Sequence, residues 1–433
     1  RLPLKKSATI VHGNALRMDW NEVVSATELN FILGNPPFIG SKMMTTAQRN
    51  DLLAIAGTLK SAGILDFVSA WYLKAVEYID GNPLRAAFVS TNSITQGEQV
   101  GVLWNEILRF GFSIFFAHRT FQWNNEAKGV AAVHCVIVGF TKANIVPKRL
   151  FDYEDIRGES HEVAASNINP YLVDAANVLL PNRSRPICLV PEIGIGNKPI
   201  DGGYYLFTIE ERDAFIASEP NSTKWFRRWL GSDEFINGWE RWCLWLGDCT
   251  PSELRAMPEA MKRVDAVRKF RLGVGPNKDG KALEAGKERP ESTRKLADTP
   301  THFHVENISS TNYLLIPRVS SERRAIIPMG FIDPATLTSD SALMSSGATT
   351  FHFGIMQSTM HMAWVRNVCG RLKSDYRYSA GIVYNNFPWP EISDTKHQTA
   401  IEVAASGVLN ARKQFPDSTL ADLYDRLTMP PAL

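Results

Sequence analysis

The sequence predicts an α/β chain: a mostly parallel sheet with an antiparallel edge, then a mixed α+β region and a short helical tail. Three observations carry that reading. Short apolar runs alternate with helix-period segments as far as about residue 140. Two of those runs then follow each other closely, as an antiparallel pair would. Beyond residue 160 the chain turns rich in Pro, Asn and Gly, and the element pattern changes with it.

Taken in order, residues 8–11 read as a short strand, and Phe31-Ile32-Leu33-Gly34 as a second one stopped by Asn35-Pro36-Pro37. Residues 64–80 have helical spacing, with Phe67, Val68, Trp71, Tyr72, Ala75 and Ile79 near one face. A buried-strand pattern over 85–90 is followed by a helix over 98–110 and strands over 112–117 and 130–140. Tryptophans 225, 229, 239, 242 and 245 are expected to be core. Thr250-Pro251-Ser252-Glu253 combines a capping-box threonine, a proline at the first helical position and a closing glutamate. That helix, interrupted near Pro258, is expected to run to about 272. The segments 394–414 and 419–428 look helical, with Ser418 as the cap of the second. The boundaries expected from these changes are 1–165, 166–390 and 391–433.

Composition is that of an ordinary globular chain, 44% hydrophobic and 21% charged over 433 residues. The formal net charge is only +2, so any nucleic-acid footprint has to be local. One such place is 262–295, where eleven Lys or Arg face five Asp or Glu. The five cysteines form no CxxC pair, which fits a reducing cytosol, and no run of about 18 apolar residues is present to span a bilayer. The first residue is Arg1 and a strand-like stretch follows at once, so the chain is expected to begin partway through a longer protein.

The motif that carries chemistry is Asn35-Pro36-Pro37-Phe38. Asn-Pro-Pro with an aromatic next is expected by chance in roughly one chain in 300 of this length, so its place directly after an apolar strand marks it as signal. Methylating an exocyclic amine needs a nitrogen lone pair aimed at an electrophilic methyl group. In adenine that pair is delocalised into the ring. The Asn35 side-chain oxygen and the Pro36 carbonyl suit the two amine hydrogens as acceptors, and the prolines keep the loop stiff. Phe38 suits stacking on a base that has left the duplex.

The motif order resembles that of amino-methyltransferases, and the longer strings resemble the MmeI-like branch of combined restriction–modification enzymes. The resemblance runs through Gly13-Asn14-Ala15-Leu16, Gly34-Asn35-Pro36-Pro37-Phe38-Ile39-Gly40, Leu65-Asp66-Phe67, Val89-Ser90-Thr91-Asn92-Ser93-Ile94, Gln96-Gly97-Glu98-Gln99 and Ala117-His118-Arg119-Thr120-Phe121. It continues through Asn125-Glu126-Ala127-Lys128-Gly129, Ile316-Pro317-Arg318-Val319-Ser320-Ser321-Glu322-Arg323-Arg324, Cys369-Gly370-Arg371-Leu372-Lys373-Ser374-Asp375-Tyr376-Arg377-Tyr378-Ser379 and Asn386-Phe387-Pro388-Trp389-Pro390. It implies a Rossmann-like methyltransferase sheet lacking its first strands, then a target-recognition domain and a helical tail. It also implies S-adenosylmethionine as cofactor and double-stranded DNA as partner, with a nuclease region and the glycine-rich cofactor loop on a missing N-terminal portion. Asn14, Ala15, Asn35 and Asp66 match positions at the cofactor, Asn14 standing where Asp is commoner. As a bare residue Asp66 reads as a helix start.

That glycine loop has no counterpart here. Gly194-Ile195-Gly196 and Gly273-Val274-Gly275 are both expected to be turns, since neither follows a strand and opens a helix. For DNA contact, Arg318, Ser320, Arg323, Arg324, Arg371, Lys373, Asp375 and Arg377 stand out within the family-like strings, and for each a structural or phosphate role competes with base readout. His302, His304 and Glu306 lack the further ligands of a metal site, and Glu126-Ala127-Lys128 lacks the preceding Asp of a nuclease site. Two other readings remain: a DNA-binding specificity module without activity, and a methylase of protein glutamine or RNA.

Overall fold

The computed structural model describes residues 8–123, 133–392 and 394–431. The chain divides into two compact units, Arg1–Arg183 with Arg366–Ser374, and Ser184–Val365 with Asp375–Leu433.

Unit 1 is a six-stranded sheet with helices on one face. In chain order it carries β1 (Phe31–Gly34), α1 (Thr46–Ala56), α2 (Ser69–Ile79), β2 (Arg85–Thr91), α3 (Glu98–Arg109), β3 (Ser113–Trp123), β4 (Val133–Thr141), β5 (Lys148–Asp152) and β6 (His161–Ala165). The order in the sheet is β1-β2-β4-β3-β5-β6. β1 lies parallel to β2, pairing Phe31 with Arg85 and Gly34 with Phe88, and β3 lies parallel to β5. The other three neighbouring pairs are antiparallel. The expected mostly parallel sheet is thereby corrected. Too few residues separate β3 from β4 for a crossover, which takes about a dozen or more, so β4 turns back and inserts between β2 and β3.

Tyr72 on α2 and Trp104 on α3 are fully buried and in ring contact, and Tyr72 packs on Phe88 and Phe140 of the sheet. Their polar tips are satisfied: Tyr72 Oη lies 2.8 Å from Ser90 Oγ, and Trp104 Nε1 donates to the Ile94 carbonyl at 2.8 Å. Such burial of large aromatics with their polar atoms paired is what holds a sheet face to its helices. The expected strand at 8–11 does not form. Ile10 and Val11 are exposed and pair with nothing in a sheet, and an apolar run becomes a strand only where a neighbour accepts its backbone.

Unit 2 begins with β7 (Gly194–Ile195), β8 (Leu206–Phe207), α4 (Ile209–Ser218), β9 (Phe226–Leu230), α5 (Ser232–Asn237), β10 (Trp242–Leu244), α6 (Pro251–Arg255), α7 (Pro258–Leu272) and α8 (Glu291–Lys295). It continues with β11 (Tyr313–Pro317), β12 (Val319–Ser320), β13 (Gly330–Ile332), β14 (Leu337–Thr338), β15 (Ala342–Ser346) and α9 (Thr350–Met356). α10 (Thr359–Val368) then leads the chain into unit 1, which holds β16 (Gly370–Leu372), before β17 (Asp375–Arg377), α11 (Thr395–Lys413) and α12 (Leu420–Leu423) complete unit 2.

Two four-stranded sheets, β14-β9-β10-β8 and β13-β11-β15-β7, form its frame. Trp229 and Trp245 are buried in the core of the first, and Trp225 and Trp242 pack against it. Trp239 departs from the expected core role, being 58% exposed. The capping box at Thr250 is present, and α7 starts at Pro258 and stops at Gly273, whose φ of +82° ends the helix. Gly194-Ile195 is not the expected turn but β7, paired antiparallel with Met344 and Leu343. A Cβ on Gly196 would stand 2.2 Å from the Ser339 carbonyl oxygen, so the glycine serves a close backbone approach. The last helix is shorter than expected, and its cap is Thr419, not Ser418.

A candidate methyltransferase corner and a recognition surface

In unit 1 the diproline corner sits at the C-terminal end of β1, beside the loop that follows its parallel neighbour β2. Ligands of open α/β sheets gather at such strand ends. Asn35 and Pro37 are exposed, Pro36 is buried and Phe38 is half-buried. Gly34 lets the strand reach the corner, because a Cβ there would press on the Phe88 ring at 3.0 Å.

The corner is held by one carboxylate. Asp66 Oδ1 accepts from the Ser41 backbone N–H at 2.8 Å, and Asp66 Oδ2 accepts from Ser93 Oγ. The Asp66 N–H donates to Gln99 Oε1 at 2.7 Å, and the Phe67 N–H donates to the Ile39 carbonyl at 2.9 Å. Arg49 on α1 donates to the Ser41 carbonyl. Asp66 is 8% exposed with both oxygens engaged, so it ties the loops after β1 and β2 to α3. Ser41, Ser93 and Gln99 were not singled out from the sequence. Ser93 and Gln99 lie in family-like strings, but nothing local shows that they converge on residue 66.

The residues expected at the cofactor behave unequally. The Asn14 amide donates to Asp51 Oδ2 at 2.9 Å and accepts from the Leu16 N–H at 3.0 Å. Asp51 also takes Arg17 Nε at 2.7 Å, and that hydrogen bond is the main reason its pKa lies below the usual carboxylate value. The Ala15 carbonyl accepts the Trp20 indole N–H at 2.8 Å. Asp66 is thus buried with both oxygens engaged, whereas Asn14, despite its bond to Asp51, is exposed like Asn35.

The candidate DNA residues divide in the same way. In unit 2, Arg318 Nη1 donates to the Asp340 carbonyl at 2.9 Å, and Ser320 is buried on β12, paired with Tyr376 of β17. Arg323 and Arg377 are exposed. Arg323 lies 3.7 Å from Asp425, and Asp375 Oδ1 accepts from the Glu322 N–H at 3.3 Å. Burial lowers the pKa of half-buried Arg324, with Asp425 and Asp375 opposing the shift. In unit 1, Arg371 donates to the Ser374 and Arg366 carbonyls, while Lys373 is exposed at a turn with φ of +58°.

The basic stretch is largely engaged internally. Arg271 is fully buried and donates five hydrogen bonds to the carbonyls of Pro199, Ile200, Leu296, Thr299 and His302. Lys278 pairs with Glu211, and Arg263 donates to the Tyr204 carbonyl. Lys269, Lys287, Arg294 and Lys295 pair with acids of the stretch itself. Among the described residues no three His, Cys, Asp or Glu are grouped to hold a metal, and no helix is long and apolar enough to cross a membrane. Glu126-Ala127-Lys128 lies outside the described residues.

Three family models match the chain. Residues 1–152 match the family described as MmeI, DNA-methyltransferase domain; 174–391 match MmeI, target recognition domain; and 392–433 match MmeI, C-terminal domain. The methyltransferase-domain match falls within unit 1, and the recognition and C-terminal matches fall largely within unit 2. The chain belongs to the MmeI family.

It is 41% identical over 436 residues to the DNA methyltransferase A of Bacillus subtilis (strain 168), covering 99% of this chain and 47% of that protein. It also superposes on the type IIL restriction-modification enzyme MmeI, solved in complex with DNA, with a TM-score of 0.89 and 49% identity. That match covers 99% of this chain and 56% of the MmeI chain. The chain thus spans about half the length of these relatives.

Proposed function

We propose that the protein methylates the exocyclic amine of an adenine flipped out of duplex DNA, at a site read by unit 2. The observation that carries this is the rigid corner at the end of β1, with Asn35 exposed and the backbone behind it pinned by Asp66. The Asn35 side-chain oxygen and the Pro36 carbonyl accept the two amine hydrogens and draw the nitrogen toward tetrahedral geometry. Phe38 stacks on the base and offsets part of the unstacking cost, at about 1–3 kcal/mol for such contacts. S-adenosylmethionine is the methyl donor on this reading.

A further stretch of polypeptide completes the cofactor pocket. Two features of unit 1 support this. Among the described residues β1 is the last strand of its sheet, so no described strand pairs its outer edge. Beside it Phe31 is 57% and Leu33 76% exposed, and with Ala87, Phe115 and Phe116 they line an apolar hollow of about 350 Å³. Parallel strands and their helices are the natural cover for such an edge and face. The alternative, a recognition module without activity, is favoured by the burial and full engagement of Asp66.

Asn35→Ala in the full-length protein tests the reading. Methyl transfer to duplex DNA is expected to fall by at least about a hundredfold, as when a positioned transition-state hydrogen bond is lost, with duplex affinity retained. Loss of affinity together with transfer would make the corner structural. Titration of the 433-residue chain with S-adenosylmethionine is expected to show weak or no binding.

A further inference from the structure

We infer that Gln99 is a positioning residue, coupling the recognition segment 369–374 to the diproline corner through the Gly97–Gly370 contact. The inference rests on the reading above that the corner methylates, and it takes Arg371 and Lys373 of this unit 1 segment, both expected at DNA from the sequence, to meet the duplex together with unit 2.

The path lies wholly within unit 1. Residues 366–374 return to that unit and bring exposed Lys373 and the backbone-anchored Arg371 with them. Their seat is Gly97, whose N–H donates to the Val368 carbonyl at 3.1 Å. A Cβ on Gly97 would stand 3.1 Å from Gly370 Cα, and its φ of +70° is left-handed, so glycine suits this seat on both counts. The two backbones touch with no side chain between them.

Gly97 immediately precedes α3, and Gln99 is in the first turn of that helix. The Gln99 side-chain oxygen takes the Asp66 N–H, and the Asp66 carboxylate takes Ser41 and Ser93. Ser41 is three residues beyond Phe38. A displacement of the 369–374 segment therefore has a continuous route to the corner: backbone contact, helix start, amide, carboxylate, loop. The side-chain links are part-buried hydrogen bonds, and the Asp66 carboxylate serves both loops at once. A physical path is necessary for coupling but does not by itself establish it, which is why the test is a coupling measurement.

Duplexes are selected from a random-core library by the full-length protein. The selected duplex then serves to measure affinity by fluorescence anisotropy and single-turnover transfer of a labelled methyl group. Gln99→Leu keeps the volume and removes the acceptor; transfer is expected to slow at least tenfold with affinity within twofold. Gln99→Glu keeps an acceptor oxygen and is expected to recover transfer to within threefold of wild type.

Gly97→Ala places a Cβ 3.1 Å from the Gly370 Cα at a left-handed φ and is expected to slow transfer similarly. The double variant with Gln99→Leu should lose no more than about the larger single loss, since both act on one route. An unchanged rate in Gln99→Leu, parallel losses of rate and affinity, or fully multiplicative losses in the double variant would overturn the coupling. If the wild-type protein selects no duplex, the DNA reading itself fails and the coupling falls with it.

Discussion

The diproline corner and the basic stretch 262–295 are the two places where residue pattern most plainly advertised chemistry, and they fold to opposite ends. At the corner the supporting Asp66 is buried and engaged, while Asn35 and Pro37 are left exposed. In the basic stretch several of the charges pair with nearby acids, and its most deeply placed arginine clamps five backbone carbonyls. Charge counted along a sequence is a poor guide to charge presented to a partner. What matters is which polar groups the fold has already engaged.

The largest expected effect would break that comparison if absent. Arg271→Met removes the clamp and leaves buried carbonyls unpaired, and unit 2 is expected to lose about 3–5 kcal/mol of stability in denaturant melts. A loss below about 1 kcal/mol would mean that the guanidinium is not holding the stretch. Next, Arg323→Ala is expected to weaken binding to the selected duplex by ~1–3 kcal/mol and relax sequence preference. Arg268→Ala, in the basic stretch, should leave preference intact and change the salt dependence of affinity by no more than about one released counterion. Equal effects from the two would erase the distinction between the regions.

The smallest effect sharpens it with a buried group that faces no partner molecule. Burial holds His361 down to about 3, with its Nε2 3.0 Å from Tyr378 Oη. The unfolded chain takes up that proton near the ordinary value of 6.5 and the folded chain does not. Stability is therefore expected to fall as the pH drops from about 6.5 toward 3, by at most about 1.4 kcal/mol per pH unit from this group. In His361→Asn that slope should flatten; an unchanged slope would assign the pH dependence to other groups.

Much of the fold was legible where local rules decide it. The capping box at Thr250, the proline start and glycine stop of α7, and the apolar strand before Asn35 are each set by residues within a few positions of one another. What escaped depends on distant partners. Residues 8–11 have strand-like composition but no neighbour to pair with. The insertion of β4 between β2 and β3 is a property of the sheet, not of any one strand. The corner was legible as a motif, whereas its support by Asp66, Ser93 and Gln99 was not, because those residues meet only in three dimensions. Arg271 read as one more cation of a basic run, since nothing beside it in sequence reveals the carbonyls it binds.

The most direct test concerns the product. The full-length protein is incubated with duplex DNA and labelled S-adenosylmethionine, and the DNA is digested to nucleosides and resolved by mass spectrometry. An exposed Asn35 over a braced diproline corner should yield N6-methyladenine, absent from the Asn35→Ala reaction. Methylcytosine in place of methyladenine, or methyladenine undiminished without the Asn35 amide, would contradict the assignment.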